Sequence, residues 1–350
     1  MKTNQATETP ANAKDTAVST NLDGVIFDSR WIGSHGIGRF AKEVSERLKF
    51  TVNYSSTINP AGLFSAFALG LWATPKRGKS IFSPSYIPPV FSSLPFSFTI
   101  HDLNHIDVSH NSSLFKRIYY RTIILPAVKR AYRVLTVSEF SKKKIIDWSG
   151  CSPEKIKVVG NGVSEAFNYS AQPICPGYSY IFCCSNRKGH KNEVRLLHAF
   201  KKSTLYQEMK LVFTGKPDAE ILEAISNLQL EDHVIFTGKV SENDLASWYK
   251  GAIMTAFPSL YEGFGLPLIE SMACGTPVIA SNTTSLPEIG GDAAYYVNPL
   301  NVDDIAVGLM HVAKNESLRN QMCEKGLLRA QQFTWDRTAN LVSNALKGIT

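Results

Sequence analysis

Short apolar runs recur along the chain, each bounded by glycine, proline or polar residues and followed by a stretch of helical periodicity. Val25–Phe27, Phe96–Ile100 and Val134–Val137 read as strands in the first half. Tyr180–Cys183, Lys210–Thr214, His233–Thr237, Ile253–Phe257 and Pro277–Ala280 read so in the second. Runs this short and this rich in Val, Ile and Phe suit strands covered on both faces. Helical patterns occupy about 39–48, 114–133, 194–201, 242–250 and 267–275, and another follows Ser141. Pro126 should kink the helix over 114–133. Strands that alternate with helices predict an α/β fold with parallel sheets. The rhythm breaks at Gln172–Gly177, where two prolines mark a linker, and two halves so joined form a cleft. The expected divisions are a disordered tail over 1–21, domains over 22–170 and 171–335, and a C-terminal helix over 336–350 that can pack back on the first domain.

Two of these strands run into glycine loops. Val25–Phe27 leads to Gly33-Ser-His-Gly-Ile-Gly38, read as a loop before a helix. The glycine order is not that of a dinucleotide site, and no acid follows at the ribose-binding distance. Ile253–Phe257 leads to Glu262-Gly-Phe-Gly-Leu-Pro267 and a helix that carries Glu270. Glycine lets the backbone approach a ligand closely, and the free N–H groups of a helix N-terminus attract anions and hydroxyls. With Glu262 in the loop and Glu270 on the helix, both carboxylates can enter one cleft and accept from sugar hydroxyls. An ordinary βαβ unit with one solvated acid would show the same spacing. His101-Asp102, at the end of Phe96–Ile100, sits where open α/β sheets face their ligands or merely anchor a loop.

Composition narrows the classes. The chain has 350 residues, 44% apolar and 19% charged, enough for two domains with their own cores. The apolar stretch 61–73 is shorter than the ~20 residues of a membrane span, and no signal-peptide core follows Lys2. The six cysteines include no C-x-x-C pair, which fits reduced thiols and a cytoplasmic setting. Residues 22–170 hold 19 Lys+Arg against 10 Asp+Glu, net +9, whereas 171–350 hold 16 against 18, net −2. A basic first half suits anionic lipid headgroups or phosphates, or is a solvated surface. Nucleic acid is not expected as a partner, because the aromatic-basic interleaving of single-strand binders is missing.

The motifs together resemble the retaining glycosyltransferases of family 4, which have the GT-B fold. The likeness runs over about 22–345 and rests on Gly36-Ile-Gly38, Thr99-Ile-His-Asp102, Leu135-Thr-Val-Ser138, Asn161-Gly-Val163, the loop from Arg187 to His190-Lys-Asn192, and Phe257–Pro267 with Glu270 completing E-x7-E. The resemblance implies two Rossmann-like domains facing each other, a nucleotide-diphosphate sugar as donor, no cofactor, and a saccharide or lipid-linked saccharide as acceptor. It implies that Glu270 accepts from the ribose, that Glu262 and His101 lie by the transferred sugar, and that Phe264, Gly265 and Leu266 face the sugar and diphosphate. Arg187 and Lys191 would hold the diphosphate, and Gly36–Gly38 would close over the reaction centre. His190 departs from the Arg-Lys-Asn of many relatives. No metal is expected, since the chain has no Asp-x-Asp. By analogy with the family the product is a bacterial surface polysaccharide such as lipopolysaccharide, made at the inner face of the cell membrane with the enzyme as a peripheral protein. Mannose, a rhamnose or a UDP-linked sugar all fit. A nucleotide-sugar epimerase of the same fold and a basic non-catalytic binding protein are the rival readings.

Overall fold

The computed structural model describes residues 21–33, 36–62, 64–107 and 114–349. The expected tail, apart from Asn21, and Ser34 and His35 of the first glycine loop lie outside the described residues. The frame is two six-stranded sheets. In the first, β1 (Asn21–Asp28), β2 (Lys49–Tyr54), β3 (Ser80–Ser83), β4 (Phe96–Thr99), β5 (Arg133–Thr136) and β6 (Ile156–Val158) lie in the order β2-β1-β3-β4-β5-β6. The second contains β7 (Tyr180–Cys183), β8 (Lys210–Phe213), β9 (Val234–Phe236), β10 (Met254–Phe257), β11 (Val278–Ser281) and β12 (Ala294–Val297), in the order β12-β11-β10-β7-β8-β9. All neighbouring strands pair parallel. Every residue of β4, β7, β10 and β11 is buried, which is why these strands carry no charge and hold only apolar side chains with an occasional Ser or Thr.

The strand order places the ligand crevice. In the second sheet β7 is central: the chain builds outward to β8 and β9, then returns to place β10 on β7's other side. The loops after β7 and β10 therefore leave in opposite directions and open a gap at the carboxyl end of the sheet. In the first sheet the same reversal lies between β1 and β3.

Two expectations change. The helix after β1 starts at Gly36, so Gly36 and Gly38 form its first turn rather than a loop. A Cβ on Gly38 would lie 2.8 Å from the Gly33 backbone, and that approach is what the glycine permits. The basic helix does not simply kink at Pro126. It runs over Leu114–Tyr119, widens into a π-helical turn at Tyr120–Ile124, and resumes over Leu125–Arg130. The Leu125 N–H reaches back to the Tyr120 carbonyl, a wider turn that absorbs the donor lost at the proline.

The chain crosses between the two units twice. Phe167 already packs on Tyr249 of the second unit, ahead of the 170/171 boundary that the prolines suggest. The helix Trp335–Leu346 returns to the first unit and buries Trp335, Ala339, Val342 and Leu346 in one cluster with Phe27, Phe40 and Val44. The crossings touch: Val163 N–H donates to the Phe333 carbonyl at 3.0 Å, and a Cβ on Gly162 would fall 2.3 Å from the Trp335 nitrogen.

Trp335 is 3% exposed, so Trp335→Ala should cost about 3–5 kcal/mol of unfolding free energy. Leu341→Ala, on the same helix but 37% exposed, should cost well under half as much, and denaturant titrations of the two variants check the contrast.

Candidate active site

Gly265 has φ +99° and ends the loop after β10, and the helix Leu266–Ala273 follows with Pro267 in its first turn. Only a residue without Cβ takes that φ cheaply, and proline there forfeits an N–H that has no helical partner anyway. Ser285 fixes the loop from below, its hydroxyl donating to the carbonyls of Glu262 at 2.9 Å or Phe264 at 3.1 Å. The first unit holds it from across the cleft. Ser138 Oγ donates to the Gly263 carbonyl at 2.6 Å, and Ser141 Oγ lies 3.2 Å from the same oxygen and 3.1 Å from the His101 carbonyl. A Cβ on Gly263 would meet Asp102 at 2.7 Å, so the close contact of the two units requires this glycine.

A cavity of about 350 Å³ opens between the units, lined by Gly36, Arg39, His101, Lys191, Glu262 and Glu270 among others. Lys191, from the loop after β7, pairs with Glu262 at 2.6 Å and lies 5.1 Å from the Phe257 ring centre. Burial opposes the lysine's charge, but Glu262 overrides it and holds the Lys191 pKa above its ordinary value. Glu270 is buried. Its Oε1 accepts from Arg39 at 2.6 Å and its Oε2 from the Tyr249 hydroxyl at 3.2 Å. Burial raises its pKa against the lowering by Arg39. Asp102 is likewise pushed up by burial, with its carboxylate accepting from the Asn104 N–H at 3.0 Å. His101 Nε2 lies 3.0 Å from the Pro84 carbonyl, the position of a protonated Nε2 donating to it, and the ring sits edge-on to Phe40.

The fold thus gathers Gly36, His101, Lys191, Glu262, Phe264, Gly265, Leu266 and Glu270 around one cavity. Gly38 lies in the adjoining helical turn. Arg187 is not gathered there. Its guanidinium pairs with Glu193, donates to the Thr214 and Lys216 carbonyls, and borders a separate cavity with Lys188, Arg195 and Asp218. His190 is buried and is not among the residues that line this cavity. Its carbonyl accepts from Leu260 N–H at 2.7 Å, joining the loops after β7 and β10, and burial lowers its pKa to about 4. Sequence reasoning passed over Arg39, Ser138 and Ser141 as site residues. The spacing of three between Gly36 and Arg39 on a helix puts both on one face, a signal that was present.

Residues 60–167 match the family described as Glycosyltransferase Family 4, and residues 169–329 match Glycosyl transferases group 1. The chain is 28% identical over 263 residues to O-antigen chain mannosyltransferase B of Escherichia coli, covering 71% of this chain and 69% of that protein. The chain belongs to the family 4 glycosyltransferases. This glycosyltransferase is also 30% identical over 243 residues to the serotype-specific mannosyltransferase WbdA of Escherichia coli. That match takes in 65% of this chain but 29% of WbdA. The Anabaena protein HepE, solved in complex with UDP-glucose, superposes with TM-score 0.72 at 16% identity over 92% of this chain and 98% of its own. The paired sheets and the cleft between them are the GT-B fold.

The depressed His190 pKa has a consequence for stability. Between pH 6.5 and about 4 the unfolded chain binds a proton at this side chain that the folded glycosyltransferase does not. Its contribution is full above pH 6.5 and is lost as the pH falls toward 4. His190→Gln should therefore flatten the fall in urea midpoint between pH 7 and pH 5, and an unchanged fall would contradict the assignment.

Proposed function

We propose that this glycosyltransferase moves a hexose, in the first instance mannose, from a nucleotide-diphosphate sugar to a lipid-linked or growing saccharide in surface polysaccharide synthesis. The observation that carries the reading is the meeting of Lys191 and Glu262 with Glu270 at the point where the strand order reverses, beside the N-terminus of the Leu266–Ala273 helix. In this reading Glu270 accepts from the ribose hydroxyls and the backbone N–H groups of Phe264, Gly265 and Leu266 face the diphosphate. Lys191 then has two roles: it neutralises Glu262 and supplies a cation to the leaving group as negative charge grows there. Arg187, turned to the neighbouring cavity, would need to leave Glu193 to join it. Glu262 and His101 flank the transferred sugar. The names of the Escherichia coli relatives favour mannose and the O-antigen, whereas HepE was solved with UDP-glucose. Departure of the diphosphate on the face where the acceptor attacks retains configuration, with the phosphate as base. The absence of Asp-x-Asp from the chain supports catalysis without a metal.

The test is transfer from radiolabelled GDP-mannose, with UDP-glucose and dTDP-rhamnose alongside. The product should keep the donor's α configuration and activity should survive EDTA. Lys191→Ala should lower the turnover rate by roughly thirtyfold to a thousandfold, the effect of about 2–4 kcal/mol of lost leaving-group stabilisation. A β-linked product from α-linked GDP-mannose, or activity that EDTA abolishes and Mn²⁺ restores, would overturn the mechanism.

No helix among the described residues is long and apolar enough to cross a membrane. The first unit does expose Phe64, Leu71, Phe91, Leu114 and Phe115, each at least 70% accessible, with Lys116 and Arg117 following in sequence. Such a mixture supports peripheral docking on an anionic membrane that presents the lipid-linked acceptor, each cation adding about 1 kcal/mol. Phe115→Ser combined with Leu114→Ser should weaken sedimentation with phosphatidylglycerol vesicles, and 1 M salt should weaken it further. Equal sedimentation of variant and wild type would remove this patch from the reading.

A further inference from the structure

Three carboxylates line the cleft cavity, and two of them have cations: Glu262 has Lys191 and Glu270 has Arg39. The third, Asp102, pairs with no cation among the described residues, and it alone stands on the first unit, just past β4. Its Oδ1 accepts the Asn104 N–H at 3.0 Å and anchors the turn into the short Asn104–Asp107 helix. Its Oδ2 accepts no hydrogen bond from a described residue, and a Cβ on Gly263 would lie 3.0 Å from it. That oxygen thus abuts the loop proposed above to carry the transferred sugar. Burial raises the Asp102 pKa, the Asn104 N–H opposes the rise, and the charge of Glu262 adds to it. A loop anchor needs one oxygen, and Asn would serve without a buried charge. The second oxygen is the one whose desolvation a ligand hydroxyl would offset. The acceptor has a route to it. His105, three residues on, lines an aromatic cavity with Tyr86, Tyr119 and Phe115, and Phe115 belongs to the exposed patch proposed to meet the membrane.

We propose that Asp102 binds the acceptor: its Oδ2 takes a hydrogen bond from the hydroxyl beside the attacking one and so aims the nucleophile at the donor. The inference rests on the donor placement and the saccharide acceptor proposed above. In the transfer, the acceptor oxygen bonds to the anomeric carbon while the bond from that carbon to the diphosphate oxygen breaks. The electron pair of the broken bond leaves with the diphosphate, and the nucleophile's proton goes to the departing phosphate. Asp102 therefore carries no proton and stays ionised throughout. Its effect is orientation, which turns a hydroxyl free to rotate into one held along the line of attack.

Asp102→Asn is the informative variant. The Asn104 N–H still needs an acceptor, so the amide oxygen takes the Oδ1 position and the NH2 group falls where Oδ2 was. The anchor is kept, and the atom facing the cleft changes from acceptor to donor. The full chain is assayed with GDP-mannose and the octyl glycosides of mannose and N-acetylglucosamine. The variant should raise the KM for the glycoside about tenfold, the loss of one hydrogen bond to a charged group, and change the KM for GDP-mannose by no more than about twofold. The ratio of transfer to donor hydrolysis should fall, since water needs no such aim. Among monodeoxy forms of the accepted glycoside, one should cost the wild type about tenfold and the variant little, the mark of a shared contact. The melting temperature should match wild type, whereas Asp102→Ala, which loses the anchor as well, should melt lower. An unchanged glycoside KM, or a GDP-mannose KM that rises as much as the glycoside's, would overturn the assignment. A deoxy series that costs variant and wild type alike would overturn it too. If the wild type transfers from GDP-mannose to neither glycoside, the reading above falls and this inference with it. If it transfers and the variant matches it, only this inference falls.

Discussion

The carbonyl of Gly263 is where the two halves of the site are held in register. It comes from the second unit's ligand loop and accepts from Ser138, the residue that caps the first unit's Glu139–Ser149 helix, with Ser141 of the first turn also in reach. Glu288 of the second unit adds a carboxylate at the same helix end, accepting the Glu139 and Phe140 N–H groups at 2.8 and 3.0 Å. A helix N-terminus, with its unpaired N–H groups and partial positive charge, is thus satisfied from the opposite unit. If that seam shifted by an ångström, Glu262 and His101 would no longer share a wall.

The charged groups of the cleft are arranged as pairs. Lys191 with Glu262 and Arg39 with Glu270 each join a cation to an acid in the cleft. For Glu270, burial raises the pKa and Arg39 opposes that rise. A ligand that carries both hydroxyls and a diphosphate can take over either half of such a pair. An apolar ligand could do neither, so the pairing also acts as a filter on what may enter.

Much of this was legible from the residues. The fully buried strands β4, β7, β10 and β11 appear as apolar runs because both faces are covered. Edge strand β2 does not, since Lys49, Thr51 and Asn53 alternate outward, and β12 is another half-exposed edge. Strand β3 is buried but only four residues long, with Ser80 and Ser83 at its ends, so it passes for a loop. Glu262 and Glu270 line one cavity, an arrangement that a loop acid followed by a helix acid allows but that their spacing alone left open. Arg187 was placed with them by motif, yet its neighbour Glu193 and two carbonyls hold it elsewhere, and local pairings of that kind leave no periodic trace. Arg39 shares a helix face with Gly36, which was readable, but its partners lie more than 200 positions away in the chain and no local pattern names them.

The two chain crossings are fastened to one another at Val163 and Phe333, with Gly162 pressed against Trp335. A body joined to another by a single strand can twist, slide and swing. Two strands tied side by side behave as the leaves of one hinge, and they leave a single easy axis running along the seam. Opening of the cleft is then a swing about that line, in which residues near the crossings, Glu242 beside Val163 and Trp335 among them, move least and those at the far rim travel furthest. A substrate that enters from the rim meets the widest gap, and the geometry at Ser138 and Gly263, nearer the axis, is disturbed least.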